Sequence, residues 1–281
     1  MDFNLTEVQQ DFMNLARDFG EKRLAPTIME RDHQGIYDDA LIAELLSLGI
    51  TGAYFEEKYG GAGDDGGDVL SYILAVEELA KYDAGVSITL SATVSLCANP
   101  IWQFGTEEQK EKFLVPLVEG TKLGAFGLTE PNAGTDASGQ QTVAVKNDDG
   151  TYTLNGSKIF ITNGGHADIY IVFAMTDKSK GNHGITAFIL EDGMPGFTYG
   201  KKEDKMGIHT SVTMELVFQD VKVPAENMLG EEGKGFKIAM MTLDGGRIGV
   251  GAQALGIAEA ALADAVEYSK QRVQFLSLIH I

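Results

Sequence analysis

The sequence predicts an α+β chain of three parts: an N-terminal all-α domain (1–120), a middle β-barrel or sandwich (121–228), and the start of a C-terminal helical bundle (229–281). Three observations predict it. Apolar residues recur at helical spacing up to about Val118. They alternate along short runs between 141 and 218. They return to helical spacing from about Gly235.

The elements follow in order. Thr6 and Gln9 form a capping box ahead of Val8, Phe12, Leu15, Ala16 and Phe19, and Pro26 closes that segment. A second helix runs from about Asp38 to Leu48, with Leu41, Ile42, Leu45 and Leu46 inward and Gly49 as its stop. A glycine-rich loop spans 60–67. Asp68 then caps a third helix to about Lys81, with Val69, Ile73, Val76 and Leu79 on one face. Residues 84–104 are nearly uncharged and read as a helix buried on all sides. Thr106 caps a charged helix ending near Val118. Alternating runs at 141–146, 151–161, 169–175, 185–190 and 212–218 read as strands, and Val223-Pro224 ends them.

From Gly235, Ile238, Met241, Ile248, Ala252, Leu255, Ala258, Leu262 and Val266 fit one long helix or two short ones. Gly245, Gly246, Gly249, Gly251 and Gly256 interrupt it, each costing about 1 kcal/mol against Ala. They signal either a kink or close approach by a neighbouring helix or ligand. The apolar face has almost nothing after it to cover it, so the expectation is a second chain or an incomplete sequence.

Composition bounds the function. The 281 residues are 44% hydrophobic and 22% charged, with a formal net charge of −19. So acidic a chain repels nucleic acid and anionic membrane, so neither is expected as a main partner. No run approaches 18 apolar residues, and the N-terminus has no signal core, so no spanning segment is expected. A single cysteine, Cys97, excludes an internal disulfide and fits a reducing cytoplasm; it reads as a small core residue. The five histidines (His33, His166, His183, His209, His280) lack ligand spacing, so no metal site is expected. Gly61-Ala-Gly-Asp-Asp-Gly66 matches a dinucleotide-loop pattern. No buried strand precedes it and two aspartates would face the phosphates, so it reads as a solvated loop.

Two stretches carry the chemistry. Phe126-Gly-Leu-Thr-Glu-Pro-Asn-Ala-Gly-Thr-Asp136 and Lys158-Ile-Phe-Ile-Thr-Asn-Gly-Gly165 each begin apolar and end in turn residues. They are either ordinary β-turns or a sheet rim offering N–H groups and hydroxyls to an anionic or ring-shaped ligand. Asp244-Gly-Gly-Arg247 is either a phosphate- or carboxylate-binding guanidinium on a glycine-rich helix or an i,i+3 ion pair. Arg272 with Phe275 is either a phosphate contact with a stacking ring or ordinary surface and core.

Together with Gln271-Arg-Val-Gln-Phe275, these motifs resemble the acyl-CoA dehydrogenase family, in order and spacing, over about residues 1–275. The resemblance is closest to bacterial short-chain members. It implies helical, β and helical domains, FAD as cofactor and a homotetramer with FAD at a subunit interface. On the same basis Phe126, Leu128, Thr129, Gly134, Thr135, Phe160, Ile161 and Thr162 bind FAD, with Phe160 over the ring and Thr162 near N5. Arg272, Gln274 and Phe275 reach the FAD of a neighbouring subunit. Thr135, Asp244 and Arg247 contact the acyl-CoA substrate, and residues near Leu90 to Thr93 shape the acyl pocket.

The implied reaction is α,β-dehydrogenation of an acyl thioester. A carboxylate removes the α proton as the β hydride leaves for the flavin, and electrons pass to an electron-transfer flavoprotein. An oxidase using O₂ is the alternative enzyme, and an inactive flavin- or CoA-binding fragment the non-enzymatic one. In most relatives the base lies in the C-terminal bundle, past residue 281 here. In a minority it occupies the position of Gly246, which has no carboxylate. No catalytic residue is therefore assigned in this chain. Leu276-Ser-Leu-Ile-His-Ile281 departs from the family pattern, and a truncated or mis-assembled reading frame is expected.

Overall fold

The computed structural model describes residues 3–279, so His280 lies outside the described residues. Helix α1 (Glu7–Phe19) begins at the expected capping box: Gln9 N–H donates to the Thr6 hydroxyl, and Thr6 N–H to the Gln9 side chain. Helices α2 (Ile28–Gln34) and α3 (Asp39–Leu46) follow, and all four residues expected inward on α3 are buried. Helix α4 (Val69–Tyr82) is capped by Asp68, but its buried face differs from expectation. Tyr72, Ala75, Val76 and Leu79 point in while Val69 is half exposed, because the first turn lies outside the packed layer.

Helix α5 (Ala84–Phe104) is buried as expected and passes through a π-helical turn at Ala92–Ala98. Its hydroxyls survive burial by bonding the preceding turn: Thr89 to Gly85 C=O, Thr93 to Thr89 C=O and Ser95 to Ser91 C=O. Cys97 is fully buried on this helix, and burial pushes its thiol up to about 12, as befits a packing residue. Residues 107–118 form the last helical stretch of this part, opened by a Thr106 capping box.

The strands are β1 (Gly124–Gly127), β2 (Val143–Lys146), β3 (Tyr152–Thr162), β4 (Ile169–Met175), β5 (Ile185–Glu191), β6 (Phe197–Lys202), β7 (Thr213–Val223) and β8 (Met228–Leu229). They form one mixed sheet in the order β6-β7-β3-β2-β4-β5-β8, with β1 parallel to β4. The β2–β4 joint is a single residue pair, Val143 with Met175. The sheet folds over there, and aromatic rings from the two halves meet edge to face: Tyr152 with Phe188, and Tyr170 with Phe197. This is the barrel-or-sandwich core. Strand β6 escaped the alternation pattern because Gly200 and two lysines break it and only Phe197 is buried. Strand β7 runs five residues past the expected 218, through Asp220 at φ 52°.

One helix, Gly235–Ser269, completes the fold without a kink. The glycine alternatives resolve toward close packing. A Cβ at Gly256 would collide with the Glu77 carbonyl of α4, one at Gly249 would sit 3.0 Å from Ser91 Oγ, and one at Gly246 2.9 Å from Leu96 Cδ2. Gly251 has open space. Two helices, Ala84–Phe104 and Gly235–Ser269, are long and apolar enough to cross a membrane by length and composition, which corrects the expectation that no run qualifies. The apolar window of the first is 83% buried inside this fold; that of the second is 22% buried.

Candidate active site

The two motif stretches lie side by side and run in opposite directions. At one end Asn163 Nδ2 donates to the Gly124 carbonyl at 2.9 Å; at the other Ile159 N–H donates to the Thr129 carbonyl at 2.9 Å. Asn163 also donates to the Thr89 carbonyl, so the same side chain clamps α5 to this rim. Asn163 adopts φ 65°, a left-handed conformation that Asn tolerates better than most residues.

Beneath the rim sits a buried ion pair. Lys158 Nζ is 2.7 Å from Glu130 Oε1 and also donates to the Leu128 carbonyl (3.2 Å) and Gln140 Oε1 (3.0 Å). The Glu130 carboxylate further accepts the Gln141 and Thr142 amides. Burial alone would raise the Glu130 carboxyl; the Lys158 charge and these hydrogen bonds outweigh it and hold it low. Burial pushes the Lys158 ammonium down against the opposing pull of Glu130. Both stay charged at neutral pH.

The β3–β7 pairing breaks between Lys158 and Ile161, and Phe160 inside that bulge adopts φ 60°. The bulge turns the Phe160 ring outward, leaving it 59% exposed, where ordinary alternation would pack such a ring. A bulky residue held at positive φ is strained, and such strain collects at functional sites. Thr129 and Thr162 are half-buried, and Gly134 and Thr135 lie in the exposed turn after Glu130. Among the described residues none of these three threonine hydroxyls has an intramolecular partner. Phe126 is half-buried against Phe173, whereas Leu128 and Ile161 pack into the core, so those two can face a ligand only through backbone. Free hydroxyls beside an outturned aromatic ring fit a flat polycyclic ring with polar edges, as an isoalloxazine is.

Across α5, a cleft of about 440 Å³ opens against the long helix, lined by Ile88, Ser91, Ala92, Ser95, Leu96, Leu243, Gly246, Arg247 and Val250. Ser91 and Ala92 of the expected acyl-pocket stretch reach it; Leu90 and Thr93 are fully buried and do not. Its lining contains no carboxylate. Arg247 stands at this cleft, and Asp244 is exposed one helical turn earlier. No ion pair joins them, so the i,i+3 surface-pair alternative is not what the side chains do.

Arg272, Gln274 and Phe275 are not brought to this rim. They follow the far end of the long helix in a small hairpin, with Phe275 and Leu276 fully exposed at its turn. Arg247 and Arg272 are separated by roughly 35 Å of helix at 1.5 Å per residue. The motif reading missed Lys158, Glu130 and Asn163 as structural partners. A lone charged residue within the strand run 151–161 was the available signal for the first.

No metal-binding cluster of His, Cys, Asp and Glu occurs among the described residues. His166 instead pairs with Asp39, and His209 with Asp32. The glycine-rich loop near residue 61 packs on its own backbone, with Asp64 accepting the Glu57 amide.

Comparison with known proteins places these features. The acyl-CoA dehydrogenase N-terminal, middle and C-terminal domain families match residues 6–121, 125–221 and 233–280. The chain is 92% identical over 275 residues to the short-chain specific acyl-CoA dehydrogenase of Megasphaera elsdenii, covering 98% of this chain and 72% of that relative. It is 56% identical to the Clostridium acetobutylicum counterpart at the same coverage. The solved structure of butyryl-CoA dehydrogenase from Megasphaera elsdenii superposes with a TM-score of 0.99 at 91% identity, covering 99% of this chain and 73% of that one. A chain in a structure of the electron transferring flavoprotein of Acidaminococcus fermentans gives 0.97 at 67% identity, covering 99% and 72%. With its apposed motif stretches, its fold and this degree of likeness, the chain belongs to the acyl-CoA dehydrogenase family.

Proposed function

We propose that the chain carries the flavin- and thioester-binding parts of a short-chain acyl-CoA dehydrogenase. It acts with FAD on butyryl-CoA-type thioesters and passes electrons to an electron-transfer flavoprotein. The observation that carries this reading is the apposition of 126–136 with 158–165 beside a carboxylate-free cleft bearing Arg247. The names of the Megasphaera and Clostridium relatives support the substrate class, and the Acidaminococcus structure supports the electron partner.

FAD, when bound, supplies the acceptor for the β hydride. The chain's own residues bind and orient. Thr129 and Thr162 offer hydroxyls to the flavin edge, Phe160 covers its face, and Gly134 and Thr135 lie where flavin and CoA approach. Arg247 supplies a fixed cation for the anionic CoA portion, with Asp244 beside it. Ser91 and Ala92 line the cleft and exclude water from the acyl chain. The α-proton base is not among these residues, and we place it beyond residue 281. Arg272, Gln274 and Phe275 serve a neighbouring subunit's flavin in a homotetramer, in the cytoplasm. The working units are 1–120, 121–228 and 229–281.

The test is flavin bleaching on adding butyryl-CoA under anaerobic conditions. This chain, loaded with FAD, is expected to bind without bleaching. The same chain continued with the C-terminal segment of the Megasphaera elsdenii relative is expected to bleach rapidly. Bleaching by the 281-residue chain would move the base to Asp244; no bleaching by the continued chain would overturn the reading.

A further inference from the structure

The flavin-facing wall has an unusual support. Residues 159 and 160 are left unpaired by the β3–β7 ladder, because the register jumps from Lys158 with Leu216 to Ile161 with Met214. β7 pins the two ends of the bulge that turns Phe160 outward but pairs with neither residue inside it. The hold on those two residues comes from the other side. Ile159 N–H donates to the Thr129 carbonyl, and one residue earlier the Lys158 ammonium reaches into the 128–140 segment.

An ammonium has three N–H donors. Here each has an acceptor, and the three acceptors come from separate points of that one segment: the Leu128 carbonyl, the Glu130 carboxylate and the Gln140 side-chain carbonyl. Glu130 extends the hold by accepting the amides of Gln141 and Thr142, which lead into β2. Lys158 has no exposed surface, so it touches neither solvent nor ligand.

We propose that Lys158 is a positioning residue: its ammonium gathers the 128–140 segment onto the Phe160 bulge and so sets the spacing between Thr129 and Phe160 on the wall that receives the flavin. The inference rests on the flavin reading above. The role is distinct from charge balance alone, which any neutral pair of similar shape would supply.

That distinction defines the test. Lys158→Met alone strands a buried carboxylate and is expected to unfold at lower temperature. The paired Lys158→Met/Glu130→Gln variant is neutral, and the substituted side-chain amide keeps an acceptor oxygen for the Gln141 and Thr142 amides. It is expected to regain most of the melting midpoint, yet to show Ile159 amide exchange faster and FAD binding weaker, each by about tenfold, the scale of one or two lost hydrogen bonds. If the paired variant fails to fold, Gln140→Met tests the same claim with the ion pair intact. It should speed Ile159 exchange several-fold while lowering the midpoint much less than Lys158→Met does. Recovery of midpoint, exchange protection and FAD affinity together in the paired variant, or an unaltered Ile159 amide in Gln140→Met, would overturn the proposal. If the parent chain itself takes up no FAD, the flavin reading fails, and amide exchange in the flavin-free protein still decides the positioning role.

Discussion

Arg31 Nη1 lies 2.7 Å from Asp83 Oδ2, with both side chains almost wholly out of solvent. The other Asp83 oxygen accepts the Gly85 and Val86 amides at the start of α5 and the Thr210 hydroxyl from the loop before β7. One carboxylate thus ties three regions together. Asp83→Ala removes a helix cap and leaves a buried guanidinium uncompensated. Urea denaturation should show a loss of about 3–5 kcal/mol, with a smaller loss for Asp83→Asn.

Gly256 lets the long helix approach α4 closely: any Cβ there meets the Glu77 carbonyl. Gly256→Ala would raise local helix propensity yet force the helices apart. The expected net effect is a loss of about 1–3 kcal/mol by the same denaturation measurement. Gly251→Ala, facing open space, should instead be neutral or stabilising by up to about 1 kcal/mol.

Phe160 sets stability against function. Its φ of 60° costs a non-glycine residue energy that glycine would not bear. Phe160→Gly should leave the melting midpoint unchanged or raise it, since strain of order 1 kcal/mol is released. FAD affinity, followed by quenching of flavin fluorescence, should fall about tenfold as the stacked ring is lost.

Arg247 is exposed and free of ion pairs, so the fold does not depend on its charge. Arg247→Gln should change stability by less than about 0.5 kcal/mol. In the continued, active chain it should raise the KM for butyryl-CoA about tenfold or more with a smaller effect on kcat, the loss expected of a charged hydrogen bond. Equal losses in kcat and kcat/KM would place Arg247 at the reacting centre instead.

Glu130 predicts a pH signature. Its carboxyl titrates lower in the folded chain than unfolded, because Lys158 outweighs its burial. The native state therefore binds fewer protons than the unfolded state in the acid range. The stabilisation is fully present above the unfolded value, about 4.3, and is lost as pH falls through the folded one. In the acid range, where only carboxyls titrate, the stability gap between the parent and Glu130→Gln should narrow as pH falls below about 5. A gap independent of pH down to about 3 would contradict the shift.

Local chemistry was legible wherever a single residue type determines it. Thr6, Asp38, Asp68 and Thr106 each announced a helix start, and each caps one. The uncharged 84–104 run correctly read as a buried helix. What sequence periodicity could not convey was pairing at a distance. The bulge at Phe160 depends on Glu130 and Gln140, 30 and 20 residues upstream, and β6 is held by β7 although its own pattern is polar. The cleft behind Arg247 likewise exists only because α5 and the long helix meet at Gly246 and Gly249. The two motif stretches were recognisable as a pair, but Asn163 read only as a turn residue and Lys158 carried no reading of its own until their partners were placed.

Beyond Gly256 no residue of the long helix is buried, although Leu262, Val266 and Tyr268 lie along it. Past Gly256 the Glu259–Lys81 ion pair, at 2.8 Å, still ties the helix to α4, but three to four turns with no buried side chain are marginal in water by themselves. This end of the rod should open and close independently of global unfolding, with amides that exchange orders of magnitude faster than those near Ile238. In this chain cooperativity therefore fades past the Glu259 contact with α4, and proteases should find their first cut beyond it.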